Sequence, residues 1–391
     1  MMIITNARII TCDGGRILEN GYVAVHNGVI TEVAAGDYRG SDGERFDADG
    51  ALLLPGFIDA HCHLGMFEDG LAFEGDDGNE ETDPCTPQLR SLDAVNPMDR
   101  GFAEALQYGI TTVVTGPGSA NPIAGQITAM KTYGHVIDQM VVRFPTAIKF
   151  ALGENPKNIY SDKSEQPVTR MAITAIIREQ LYKAKRYQQD LQKAAEDPEG
   201  ETDAPDYDIK CEALLPLLRR EVKAHFHAHR ADDICTALRI IKEFGLDGVI
   251  IHGTEGFLVA DSIAEAGVPV ICGPIINTRT KPELRNMCRD NLLCLYRAGV
   301  KTSVNTDAPE VPIDMLLTSV AIVANADERP LTMEQAVELV TCNAAEAAGI
   351  ADRVGSITVG KDADLLLFTQ NPVGLLVKPS RVMVGGVFQN S

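Results

Sequence analysis

The chain has 391 residues, 45% of them hydrophobic, which is enough for a large buried core; single barrels commonly exceed ~250 residues. Thirty-five basic residues against 55 acidic ones give a formal net charge of −20, which argues against a nucleic-acid groove or an anionic membrane surface, since both need clustered Lys and Arg. No basic start followed by an apolar block opens the sequence, no apolar run approaches the ~18 residues of a membrane span, and the nine cysteines include no CxxC pair, so the expectation is a soluble, cytoplasmic protein with reduced thiols.

Residues 1–50 read as short strands, MIITNARII, GYVAVHNGVITEVA and RFDADGALLL, broken by tight turns at Asp13-Gly14-Gly15 and Asn27-Gly28. The C-terminal stretch repeats the style in SITVGKDADLLLF and SRVMVGGVFQ. Neither end has enough strands to bury a face alone, so residues 1–51 and 349–391 are expected to pair into one small β-sandwich domain formed by both termini. Between them, 52–348 alternates strand-like segments (LLLPGFIDAHCH, ITTVVTG, AIKFALG, VKAHFHAH, GVIIHG, VPVICG, VKTSVNTDA) with helix-like ones (DRGFAEALQYG, ADDICTALRIIKEFG, GFLVADSIAEAG, PELRNMCRDNLLCLYRAG). That rhythm predicts an α/β fold with a parallel sheet, closed as a (β/α)₈ TIM barrel. Seven strands are clear, and the eighth is expected near 125–143.

One segment breaks the rhythm. Residues 168–196 carry Ile173, Ile177, Leu181, Ala184 and Leu191 on one helical stripe, and the acidic EDPEGETDAPDYD follows as a loop. Together they form a helical insertion near 165–205, read as a packed outer helix or, alternatively, as a lid or dimer arm. From 332 a helix resumes, with Thr332 and Gln335 placed for a capping box.

The chemistry concentrates at strand ends. In His61-Cys62-His63 the two imidazoles, at i and i+2, face the same way, and two neutral nitrogens on a rigid strand suit Zn²⁺ or a similar ion. His225, His227 and His229 alternate in the same manner; His227 is the expected ligand, and His229, nearer the mouth, is expected to touch substrate or play a supporting role. His252 follows the apolar strand GVII, and Asp307 follows KTSVNT. In a barrel, polar residues at C-terminal strand ends read as catalytic. Lys149 in AIKFALGENP is a strand-end lysine that is either a structural cation or a carboxylated bridge between two metals, with Glu154 a competing carboxylate in the same loop. Arg230 and Arg279 lie where a guanidinium could hold a substrate carboxylate.

Taken in order, LPGFIDAHCH, HAH, IIHG, NTDA and VGSITVGKDADLLLF resemble the amidohydrolase superfamily, closest to its imidazolonepropionase-like and prolidase-like branch. The resemblance implies a (β/α)₈ barrel with a small β-sandwich from both termini. It also implies metal binding at His61, His63, His227, His252 and Asp307, with Lys149 matching the bridging lysine of two-metal members. The expected cofactor is one or two divalent ions, Zn²⁺ first, with Mn²⁺ or Fe²⁺ as alternatives. The expected reaction is hydrolysis of an amide-type C–N bond by a metal-activated water, with Asp307 moving the proton and His252 either binding a second metal or stabilising an oxyanion. Rival readings are a deaminase of a small heterocycle on the same site, an ester hydrolase, and a non-catalytic assembly protein. The expected partner is a small-molecule substrate, with a homo-oligomer left open and neither nucleic acid nor membrane.

Overall fold

The structure is a computed structural model that describes residues 1–197 and 202–389; the acidic loop expected after the long helix lies partly outside the described residues. Two eight-stranded sheets organise the chain. The first takes β1 (Met2–Ile10), β2 (Ile17–His26), β3 (Val29–Ala35), β4 (Glu44–Asp47) and β5 (Leu52–Pro55) from the N-terminal end. The C-terminal end adds β14 (Leu365–Phe368), β15 (Arg381–Val384) and β16 (Val387–Phe388). The two ends join where β5 pairs antiparallel with β14. The sheet forks at β1, which pairs with β4 along its first half and with β5 along its second. Alternating apolar residues such as Ile4, Ile9, Val23, Leu53, Leu365 and Met383 form its core.

The second sheet is the barrel: β6 (Phe57–Cys62), β7 (Ile110–Thr115), β8 (Ile123–Lys131), β9 (Val141–Ala151), β10 (Lys223–Ala228), β11 (Gly248–His252), β12 (Val270–Cys272) and β13 (Thr302–Val304), in that spatial order. The eighth strand is β8, and it departs from the strict (β/α)₈ pattern by running antiparallel to both β7 and β9. The cause lies in the connections. Segments 116–122 and 132–140 are shorter than the dozen or so residues that a parallel crossover needs. Lys149 therefore stands on the fourth of eight barrel strands.

Asp59 closes the barrel between β6 and β13. Its fully buried carboxylate accepts hydrogen bonds from the backbone N–H of His61 (3.2 Å), from the N–H of Thr306 (3.2 Å) and from the Thr306 hydroxyl (2.5 Å). Two backbone bonds finish the seam: Asp307 N–H to His61 O at 3.3 Å and His63 N–H to Ala308 O at 2.7 Å. Asp59→Ala would strand several buried donors at once, so a loss of about 2–4 kcal/mol is expected. A thermal midpoint equal to wild type would mean that the backbone bonds alone hold the seam.

The VGKDAD motif is structural. Asp362 and Asp364 both take the Lys131 ammonium at the end of β8, and Arg353 pairs with Asp362 at 2.9 Å, so the motif ties the terminal sheet to the barrel. The long helix Arg170–Glu196 is capped by Thr169 and buries Ile173, Ile177, Leu181 and Ala184. Thr332 and Gln335 form the expected capping box. The helix expected across 282–299 is instead split into a short turn, Pro282–Leu284, and a helix that starts only at Asn291. Among the described residues no helix is long and apolar enough to cross a membrane.

Candidate metal centre

The strand ends bring the expected histidines and Asp307 to one mouth, but in two groups: His61, His63 and Asp307 in one, and His227, His229 and His252 in the other. Within each group one donor atom per residue lies within 4.8 Å of the others. His227, expected beside the His61–His63 pair, therefore belongs with His229 and His252. His225 sits one layer deeper on β10, fully buried, with neither ring nitrogen hydrogen-bonded.

In the first group, Asp307 Oδ1 lies 3.5 Å from His61 Nε2 and 3.3 Å from His63 Nε2. Ligand atoms at the corners of a tetrahedron with bonds of about 2.0–2.2 Å stand about 3.3–3.6 Å apart, so this spacing fits a zinc-sized ion. Asp307 Oδ1 is buried with no hydrogen-bond partner, which an ion would supply. Asp307 and His252 also hold positive φ angles, 58° and 72°, in a region costly for residues with a side chain. Such strain collects where a backbone is forced to aim a functional group.

Hydrogen bonds fix the ring orientations. His63 Nδ1 lies 2.7 Å from the Gly116 carbonyl, and His252 Nδ1 lies 2.7 Å from the Gly273 carbonyl. A carbonyl only accepts, so both Nδ1 atoms carry the proton and both Nε2 lone pairs face the mouth. That tautomer leaves His252 no Nε2–H to donate, so the oxyanion role expected for it does not suit its neutral form, whereas a ligand role does. His227 Nδ1 contacts Ser119 Oγ at 2.9 Å, and His229 Nδ1 contacts Thr254 Oγ1 at 2.7 Å.

Burial pushes His61, His227 and His229 well below the ordinary histidine value and pushes His252 down to about 3, so these rings are neutral near pH 7. Burial also acts to raise Asp307, but the imidazoles of His252, His63 and His61 outweigh it and hold the carboxyl well below its usual range. Neutral nitrogens around an ionised carboxylate are the donor set that a borderline divalent ion needs. Lys149 is fully buried, with Nζ 2.9 Å from His61 Nε2; burial lowers it to about 8, which makes the neutral amine accessible.

Two expected substrate contacts separate. Arg279 lines a cavity of about 550 Å³ that also touches His229 and His252. Arg230 does not line it: its guanidinium is held by Asp232 through two bonds of 2.9 and 2.8 Å on the outer surface. A cavity of about 260 Å³ touches His63, His227 and Asp307 and is lined by Lys281. Glu154 is turned away from both groups, its Oε2 accepting the backbone N–H of Glu283 at 3.2 Å.

Glu283 is the residue that sequence reasoning missed. It is 1% exposed, and its Oε1 lies 3.6 Å from His229 Nε2 and 3.8 Å from His227 Nε2. In the sequence it reads as one more charge on an outer helix, and nothing local distinguishes it.

Residues 52–388 match the Amidohydrolase family. A solved amidohydrolase from Thermotoga maritima is 36% identical, superposes with a TM-score of 0.92 and covers 99% of each chain. An imidazolonepropionase from Geobacillus kaustophilus is 24% identical over 90% of this chain and 84% of its own length. Amidohydrolase tasK from Hapsidospora irregularis is 27% identical over 94% of this chain, which spans only 40% of that protein. With the family's match over most of its length and a metal-type donor set at the C-terminal mouth of its barrel, the chain belongs to the amidohydrolase family of metal-dependent hydrolases.

Proposed function

We propose that the protein hydrolyses an amide-type C–N bond of a small molecule, with a divalent ion of the zinc type held by His61, His63 and Asp307. The observation that carries this reading is the unpartnered Asp307 Oδ1 at ligand-edge distance from two imidazole nitrogens. His61, His63 and Asp307 would hold such an ion, which would supply the Lewis acidity that makes water more acidic and a carbonyl more electrophilic. Asp307 takes the proton of the attacking water and returns it to the leaving nitrogen. His63 is oriented for its part by Gly116, and the closed seam at Asp59 keeps the histidine pair in register with Asp307. Lys149 lies against His61; in a carboxylated form it would offer an oxygen to the same ion, and its lowered pKa favours the amine that reacts with CO₂.

The test is a metal-reconstituted activity screen over cyclic amides and imides, N-acyl amino acids, dipeptides and aminated heterocycles. The relatives named imidazolonepropionase put cyclic amides first. Turnover confined to aminated heterocycles, with release of ammonia, would replace the amidase reading with a deaminase.

Arg279 and Lys281 at the two cavities favour a substrate carrying a carboxylate. Hydrogen bonds to a charged group contribute about 1.5–3 kcal/mol, so Arg279→Met is expected to lower kcat/KM for acidic substrates by about 10- to 150-fold. Neutral analogues should change little. An equal loss on both classes would remove the carboxylate from the proposal.

A further inference from the structure

We infer that the cavity between the long helix Arg170–Glu196 and the helix Ala231–Phe244 is an effector site for a small phosphate-bearing anion, separate from the metal centre and joined to it through Gly153.

The cavity has a volume of about 210 Å³. Arg170, Thr174 and Arg178 line it from one helix at i, i+4 and i+8, on a single stripe, and Thr236 and Arg239 line it from the other at i and i+3. Two ion pairs clasp the helices. Arg170 Nε lies 2.9 and 3.0 Å from the oxygens of Asp233, and Arg178 Nε lies 2.8 Å from Glu243 Oε2. Both arginines are engaged through Nε alone, so among the described residues their Nη atoms have no hydrogen-bond partner. Arg239 makes no ion pair among the described residues; its guanidinium bonds only to Thr236 Oγ1, at 3.4 Å.

In a chain with a net charge of −20, three guanidiniums surround a cavity that a single carboxylate, Asp233, lines. Like charges held together repel, and an anion between them removes that cost. The free planar donors of three arginines outnumber what the two oxygens of a carboxylate accept, and they suit the oxygens of a phosphate. Buried Leu152 and Ile173 add an apolar wall for the organic part of the ligand. No His, Cys or Lys lines the cavity, and the hydroxyls of Thr174 and Thr236 donate to carbonyls of their own helices, so a ligand here is bound rather than transformed.

The cavity reaches the back of the metal centre. Leu152 and Gly153 line it, and the Leu152 N–H donates to the His227 carbonyl at 3.0 Å. Gly153 adopts φ +91°, and a Cβ there would stand 2.7 Å from Glu283 Oε2 and 3.3 Å from Asp233 Oδ2, so only glycine admits both carboxylates. The next N–H, of Glu154, donates to Glu283 Oε2 at 3.1 Å. An anion that draws Arg170 from Asp233 leaves that carboxylate uncompensated near Glu283. The repulsion then falls on the group that faces His227 and His229.

The test titrates the full-length, metal-reconstituted protein by calorimetry with inorganic phosphate, methyl phosphate and acetate, in a buffer free of other oxyanions. Wild type is expected to bind one saturable equivalent of either phosphate and none of acetate. Arg239→Gln removes a guanidinium that holds no ion pair, so the fold should survive, and it should bind phosphate about tenfold more weakly or worse. Arg279→Met, at the mouth, should bind it as wild type does. Hydrogen exchange supplies the second readout: phosphate should speed exchange of the Glu154 amide in wild type and not in Arg239→Gln. Absence of saturable binding would overturn the site, as would binding that follows metal content or Arg279 instead of Arg239. Binding that leaves exchange at Glu154 unchanged would overturn the effector role.

Discussion

Asp307→Asn is expected to reduce turnover by roughly a hundred- to ten-thousand-fold, the usual worth of general acid–base catalysis. Asparagine keeps the shape and one weak oxygen ligand, but it accepts no proton from water near neutral pH. The carboxyl of Asp307 is held below its usual range by the surrounding imidazoles, so the ionised base is present throughout the neutral range in wild type. The fold should survive. The seam between β6 and β13 depends on Asp59 and on the Asp307 backbone N–H, both of which the substitution leaves intact. Turnover and metal content must be read on the same preparations. Full metal with near-normal turnover would mean that another group moves the proton. Metal loss in step with activity would leave Asp307 a ligand with no demonstrated role as base.

How much of this was legible in the sequence depends on the range of each signal. The pairing of His61 with His63 and the alternation of His225, His227 and His229 follow from the two-residue period of a strand, a local property that survives any error in topology. The positions of His252 and Asp307 at strand ends were readable for the same reason. The direction of β8 was not, because its residues alternate identically in either orientation and only the short flanking connections decide it. Arg230 was placed at the mouth by its nearness to His229, yet Asp232 two residues on draws its guanidinium outward. The division of the ligands into two groups depends on which strands face each other across the barrel, and no local pattern records that. Glu283 was hidden by the strongest local signal of all. An apparently continuous helix over 282–299 breaks after Leu284, and the break carries a buried carboxylate to the histidines.

His61→Ala is expected to abolish measurable turnover and to remove the first metal equivalent together with it. His61 is fully buried, and its Nε2 lies 3.5 Å from Asp307 Oδ1 and 2.9 Å from Lys149 Nζ, so no neighbouring nitrogen can replace it without moving the strand. Losing a residue that merely orients a ligand typically costs 10- to 100-fold in metal affinity, and losing the ligand itself should cost more. Two donors, His63 and Asp307, would remain in a site that needs at least three from the protein. The substitution also removes the imidazole beside Lys149, whose pKa is lowered first of all by burial. The ammonium would then lose its His61 contact and keep the attraction of Asp307, a cation where an ion should sit, which further disfavours metal entry. A modest loss of thermal stability is expected from the cavity left by the ring, while barrel closure through Asp59 should hold, because it uses the backbone N–H of residue 61 and not its side chain. Metal at wild-type stoichiometry with turnover gone would show that His61 serves the chemistry without binding the ion. Retained turnover would move the reaction away from the His61–His63–Asp307 group altogether.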